Sequence, residues 1–260
     1  MLRRFLFPFL VAVAVSIAVS PLAQASGGPP PVNVQQAAGT SAAAIQSAVD
    51  AYRADLGALN PNVAGSFGSG RREINWDGVP DAFSAPNILP ANFFNANSPR
   101  GAVFFARGTR FQVSADSDNP TNTPILFGNI HPTLPLLFST FSPQRLFTAL
   151  DSNVVETLFF VPGSNASATV SGFGAVFTDV NRSDSTKIEL FDAKGAVLFN
   201  QYVLPQPTGR RGLSFLGVGF DAGERVFLVR ITSGDRIPRT PARDVVVMDD
   251  FIYAEPQELN

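Results

Sequence analysis

The chain has 260 residues, 45% hydrophobic and only 15% charged, with a net charge of −2. That is enough for one large or two small domains, and a pI near 5.4 supplies no basic surface of the kind nucleic acid or an anionic membrane attracts. There is no cysteine, which excludes disulfides, thiolate catalysis, zinc–thiolate sites and lipoprotein anchoring.

Met1-Leu2-Arg3-Arg4 is a basic start, residues 5–19 are apolar, and Ala23-Gln24-Ala25 is an A-x-A cleavage site. Residues 1–25 are therefore expected to be a signal peptide, with a mature start at Ser26 and no membrane span after cleavage. The expected location is extracellular or periplasmic. Residues 26–40 (SGGPPPVNVQQ and the Ala-Ala-Gly-Thr after it) read as a flexible leader. A helix is predicted over 41–57, with Ser41 as its cap and Gly57 as its left-handed stop. Ile45, Val49, Tyr52 and Leu56 form a single apolar stripe on it, expected to pack on the same domain.

Residues 60–70 (NPNVAGSFGSG) are a loop by composition. Residues 71–80 read as the opening strand of the main domain, with Ile74 and the only tryptophan, Trp76, on one face and Glu73, Asn75 and Asp77 on the other. Phe93-Phe94 is expected to plug the core. Strand signals recur at 103–105, 109–114, 145–149, 154–160, 169–180, 187–191, 197–204, 213–220 and 224–232, with a further apolar run at 125–130. Asp192-Ala193-Lys194-Gly195 suits a hairpin turn, with Gly195 at its left-handed position. With 24 Phe, 21 Gly and 21 Pro, the pattern predicts an all-β fold: a two-sheet antiparallel jelly-roll sandwich over 71–255 with one short N-terminal amphipathic helix.

The last strand, residues 245–253, carries the most informative chemistry. Alternation places Val247, Asp249, Phe251 and Tyr253 on one face and Met248, Asp250 and Ile252 on the other. Whichever face points inward brings a carboxylate with it. That carboxylate has to meet a cation, several N–H donors or a proton. In a jelly roll the chain ends commonly lie side by side, so Asn75, Asp77, Asp249 and Asp250 are expected to converge. Carboxylate and amide oxygens without His or Cys suit a hard cation, calcium before magnesium; the other solution is neutralisation by Arg71, Arg72 or backbone N–H groups.

Other chemistry is thin. His131 is the only histidine, and no G-x-S-x-G or histidine pair is present. No catalytic residue is nominated. The acidic loops 116–119 and 179–184 could ligate calcium, but the second lacks the Gly and Glu of an EF-hand, and both read as Asx-rich turns.

Asn75-Trp76-Asp77-Gly78 resembles the N-x-[FW]-[ED]-G opening strand of galactose-binding-like jelly-roll modules, which include several carbohydrate-binding families. Met248-Asp249-Asp250-Phe251 resembles their closing I-D-D-[VF] strand. The resemblance implies a structural calcium held by Asp77 and Asp249, with Asp250 as the alternate. Segments 173–180, 188–195 and 212–218 also resemble secreted bacterial proteins, some of which carry a PEP-CTERM sorting tail; the apolar helix and basic cluster of that tail have no counterpart here. Together these readings lead to the expectation of an exported, non-catalytic binding or structural module whose partner is a glycan or cell-surface polymer. The alternatives are a carbohydrate-active hydrolase or lyase on a similar sandwich, and an envelope or matrix component presenting its helix stripe to a partner.

Overall fold

The computed structural model of the chain describes residues 32–207, 209–221, 225–239 and 244–259; the expected signal peptide lies outside them. In chain order the elements are β1 (Val32–Gly39), α1 (Ala42–Leu56), β2 (Arg71–Ile74), the single turn α2 (Phe93–Ala96), β3 (Ala102–Phe105), β4 (Phe111–Val113), β5 (Phe147–Ala149), β6 (Val154–Phe160), β7 (Ser167–Thr169) and β8 (Gly172–Thr178). They continue with β9 (Lys187–Phe191), β10 (Val197–Tyr202), β11 (Leu213–Phe220), β12 (Leu228–Thr232), β13 (Val247–Ala254) and β14 (Gln257–Glu258).

The strands form two antiparallel sheets of an all-β sandwich, a layout compatible with a jelly roll. One sheet runs β1-β11-β8-β13-β5-β4, with β2 also on β13; the other runs β10-β9-β12-β6-β7-β14, with β3 also on β6. Between them lies a core rich in phenylalanine. Trp76 is stacked on Phe147 at 4.1 Å between ring centroids, and meets Phe94 and Phe251 edge-on. Phe93 and Phe94 plug the core from α2 as expected.

The sheets differ in what covers their outer faces. β6, β9 and β12 alternate buried and half-exposed residues, as strands with one wet face do. β8, β11 and β13 are buried throughout, because α1 and the 126–146 segment lie on their far side. Ile45, Val49 and Tyr52 of α1 pack against Val176, Leu213, Phe215 and Ile252, a contribution of about 1.5–3 kcal/mol for each fully buried apolar side chain. Ile45, Val49 and Tyr52 of the stripe are thus buried on its own domain, with Leu56 half-buried at its end. Glycines in the sheet make the seat: a Cβ at Gly217 would fall 2.7 Å from the Tyr52 ring, and one at Gly174 2.8 Å. Tyr52 then donates its hydroxyl to the Val218 carbonyl at 3.0 Å.

Three expectations need correction. Residues 32–39, read as part of a flexible leader, form β1, which adds a full eight-residue ladder to the edge of β11; pairing of backbone groups, not apolar pattern, holds it there. The opening strand ends at Ile74, and Trp76 is in the left-handed region with φ 66°. Its ring therefore reaches the core from a turn. The apolar run 125–130 is also a turn, with Leu126 and Phe127 at positive φ; these two residues seed a side cluster with Leu134, Phe138, Leu146, Val245 and Val247.

The loop before β2 is fastened by a fully buried ion pair. Arg72 Nε meets Glu255 Oε2 at 2.6 Å and Nη2 donates to Oε1 at 2.8 Å, while the remaining guanidinium donors meet the Pro61, Gly65 and Pro99 carbonyls. Removing one partner strands the other charge in the interior. Glu255→Ala is expected to lower the unfolding free energy by about 3–5 kcal/mol, read as a shift in the urea midpoint at constant slope.

Candidate functional site

β13 is flanked by β8 on one side and, on the other, by β5 at Met248 and β2 from Phe251 onward. Asp249 and Asp250 fall where one neighbour ends and the next begins. There the register against β8 slips: Met248 pairs with Phe177 and Phe251 with Ala175, so three steps on β13 match two on β8. This is a β-bulge. It overturns the simple alternation, because Met248, Phe251 and Tyr253 all enter the inter-sheet core while Ile252 faces α1. Both carboxylates are turned toward the same segment, residues 139–145.

That segment supplies the donors. Phe141 N–H donates to Asp249 Oδ2 at 2.6 Å, and Ser142 Oγ lies 2.6 Å from Asp250 Oδ1 and 3.3 Å from Asp249 Oδ1. A hydroxyl has one proton, so the shorter contact, to Asp250, is the bond. Arg145 N–H donates to Asp77 Oδ1 at 2.9 Å, and Trp76 Nε1 donates to the Asp249 carbonyl at 2.7 Å. The ends of the domain do meet: β2 pairs with β13, and Asp77 acts electrostatically on Asp249. Asn75 is exposed and lines a cleft instead of joining the carboxylates.

Burial raises each carboxyl of this group above its ordinary range. Asp249 is held well above the ordinary carboxylate range by desolvation and then by the charge of Asp250, to which it is hydrogen-bonded. Asp250 is raised by desolvation, with Ser142, Asp249 and Arg53 pulling the other way. Asp77 is raised by desolvation against the N–H groups of Arg145 and Gln144. A protonated Asp249 donating to an ionised Asp250 satisfies both side chains. Phe141, Ser142 and Arg145 each donate to one oxygen of these carboxylates, and among the described residues no three His, Cys, Asp or Glu side chains gather in a metal-holding group. Neutralisation by donors of the protein itself is the second of the two solutions open to these carboxylates.

Outside this group opens a cleft of about 380 Å³, lined by Gln46, Arg53, Glu73, Asn75, Arg100 and Asp250. Leu59, Asn62, Phe141 and Ser142 complete its wall. A second hollow of about 210 Å³ adjoins it through the shared Asn75 and Arg100 and is backed by Trp76, Phe93 and Phe94. Arg53 Nη2 holds Glu73 Oε2 at 2.8 Å and stands 3.6 Å from Asp250 Oδ2. Glu73 Oε1 also accepts from Arg53 Nε at 3.1 Å and Arg71 Nε at 2.6 Å. Gln46, Arg53, Asn62 and Arg100 carried no signal in the sequence, because helix, loop and strand reach the cleft from unrelated positions.

The other candidates resolve as turns or structural contacts. Asp116 meets Arg145, and Asn119 closes its own loop through the Thr123 N–H at 2.8 Å. His131 Nδ1 lies 2.9 Å from the Thr133 hydroxyl within a local turn. Asp184 pairs with Arg182 in solvent. Asp179 differs: it is 2% exposed and its Oδ1 has no hydrogen-bond partner. Desolvation, with the nearby charge of Asp244 adding to it, pushes its carboxyl up to about 7. Asp244 itself accepts from Asn181 N–H at 2.9 Å and from the Ser185 hydroxyl.

No family model, curated protein or solved structure matches the chain.

Substitutions at two positions read the protonation states. A folded-state pKa above that of an ordinary carboxylate gives a stabilising term that is complete below about pH 4. For Asp179 that term is lost as pH rises through about 7. Asp179→Asn should therefore gain on the wild type progressively between those limits and run parallel to it above them, as followed by urea unfolding at stepped pH. Asp249→Asn keeps a donor toward Asp250 and should melt close to wild type at neutral pH. Asp249→Ala, which leaves the Phe141 N–H unmet in the interior, should cost about 1–3 kcal/mol or more.

Proposed function

We propose that the chain is an exported, non-catalytic binding module that takes a glycan or cell-surface polymer in the cleft beside β2 and β13. The reading rests on the state of the cleft's carboxylates. Both oxygens of Glu73 are occupied by arginine donors, and Asp250 is tied to Ser142 and Asp249. Hydrolysis of a glycosidic bond needs two carboxyl groups turned toward the scissile oxygen and the anomeric carbon; here they are turned toward the protein. What faces the ligand is a set of planar hydrogen-bonding groups, Gln46, Asn62, Asn75 and the arginines, beside apolar Leu59 and Phe141. Sugar hydroxyls donate and accept at once and match such a set, and the volume falls within the range of small-ligand clefts.

The resemblance of residues 75–78 and 248–251 to galactose-binding-like modules supports the same class. Export rests on the basic start, apolar stretch and A-x-A site of residues 1–25. The calcium implied by that resemblance is not required by this reading, because the Phe141 and Arg145 amides already donate to Asp249 and Asp77.

The test is glycan-array binding of the protein from Ser26 onward, with and without EDTA. Binding that survives EDTA, together with a melting temperature unchanged on chelation, is the expected result. Loss of binding with a fall in melting temperature, reversed by calcium, would restore the metal; silence across all glycans would remove the ligand class.

A further inference from the structure

Arg100 stands apart from the other arginines around the cleft. Arg53 has Glu73 and Asp250, Arg71 has Glu73, Arg72 has Glu255, and Arg145 has Asp81 and Asp116. Arg100, half-buried, forms no ion pair among the described residues. It is nonetheless firmly placed. Nε donates to the Glu73 carbonyl at 2.9 Å, Nη1 meets the Ser98 hydroxyl, and the guanidinium lies 5.2 Å from the centre of the Phe94 ring. Its own carbonyl accepts from the Tyr253 hydroxyl at 3.0 Å. None of these bonds uses Nη2.

The side chain lines both hollows and is the only charged residue they share. Burial lowers its pKa, with Tyr253 opposing that shift and the charge of Arg72 adding to it. A desolvated cation without a counter-ion is costly to hold, and a guanidinium fixed through Nε and Nη1 is already oriented for an incoming oxyanion.

We infer that Arg100 makes the cleft an acidic-polymer site, pairing with a carboxylate, sulfate or phosphate group on the bound glycan. This rests on the cleft being the ligand site. The aromatic hollow beside it would receive the ring that carries the acidic group, with Phe94 behind the guanidinium excluding water. Arg53 cannot serve the same purpose, since Glu73 and Asp250 already neutralise it.

The experiment uses the protein from Ser26 onward and calorimetric titration at low and physiological salt. The probes are a polyuronate, a sulfated dextran, a polyglycerol phosphate and neutral dextran and galactan. The wild type should bind at least one acidic polymer about tenfold or more tightly than any neutral one, with the advantage shrinking as salt rises. The preferred arm identifies the anion. Arg100→Gln should lose that tenfold preference and keep any neutral binding, and Arg100→Lys should recover part of it. Should Arg100→Gln fail to fold, the wild-type salt dependence and competition by the free monomeric anion read the same contact. Equal binding of acidic and neutral polymers, or an equal loss of both in Arg100→Gln, overturns the inference and leaves the cleft as the glycan site. Binding of no polymer at all overturns both.

Discussion

The structure is organised around a conflict on one strand. β13 lies in the interior of its sheet and is buried along its whole length, yet two of its eight residues are aspartates. A regular strand would send one carboxylate into the phenylalanine core and the other under α1. Neither place offers solvation, and an ionised carboxylate in either would cost far more than a strand can supply. The bulge removes the conflict by letting both side chains leave at the seam between β5 and β2. Segment 139–145 can then reach them with an amide and a hydroxyl.

Three acidic side chains at this end of the domain are settled differently. Asp249 is pushed toward the acid form by desolvation and by the charge of Asp250. Asp77 keeps amide donors, which offset part of its desolvation. Glu255 faces Arg72 in a two-bond pair that reaches no solvent. These contacts join residues far apart in the chain, 183 positions in the case of Arg72 and Glu255, and they close the domain's end. The aromatic stack around Trp76 depends on the same closure, since the indole is anchored to the Asp249 carbonyl.

How much of this the sequence discloses depends on whether a feature is periodic. The helix was legible because Ile45, Val49 and Tyr52 repeat at helical spacing, and most strands were legible from alternation. The edge strand β1 was not: VNVQQAAG has no apolar rhythm, and its place comes from an open ladder on β11. The meeting of residues 76–77 with 249–250 was legible as a consequence of sandwich topology, whereas Asn75 faces the cleft. The facing of Asp249 and Asp250 was not legible, because a bulge is fixed by neighbouring strands and leaves no mark in the strand's own pattern. Arg53, Glu73 and Arg100 share no period at all; what unites them is tertiary.

The cleft can be understood as the outer consequence of the same seam. A ladder continuing without interruption from β5 to β2 would leave no gap on that side of β13, and α1 could lie flat across it. Instead the interruption leaves Asp250 at the surface of the core, and Arg53 from the last turn of α1 leans over it toward Glu73. Arg100 approaches from the start of β3 and is fastened to the Glu73 carbonyl. Glu73 and Asp250 are held by arginine, by Ser142 and by Asp249, whereas Arg100 forms no ion pair among the described residues. The hollow beside it, lined by Arg100, Asn75 and Asn97 and backed by aromatic rings, opens where the fold turns two aspartates out of a strand with no solvent on either face.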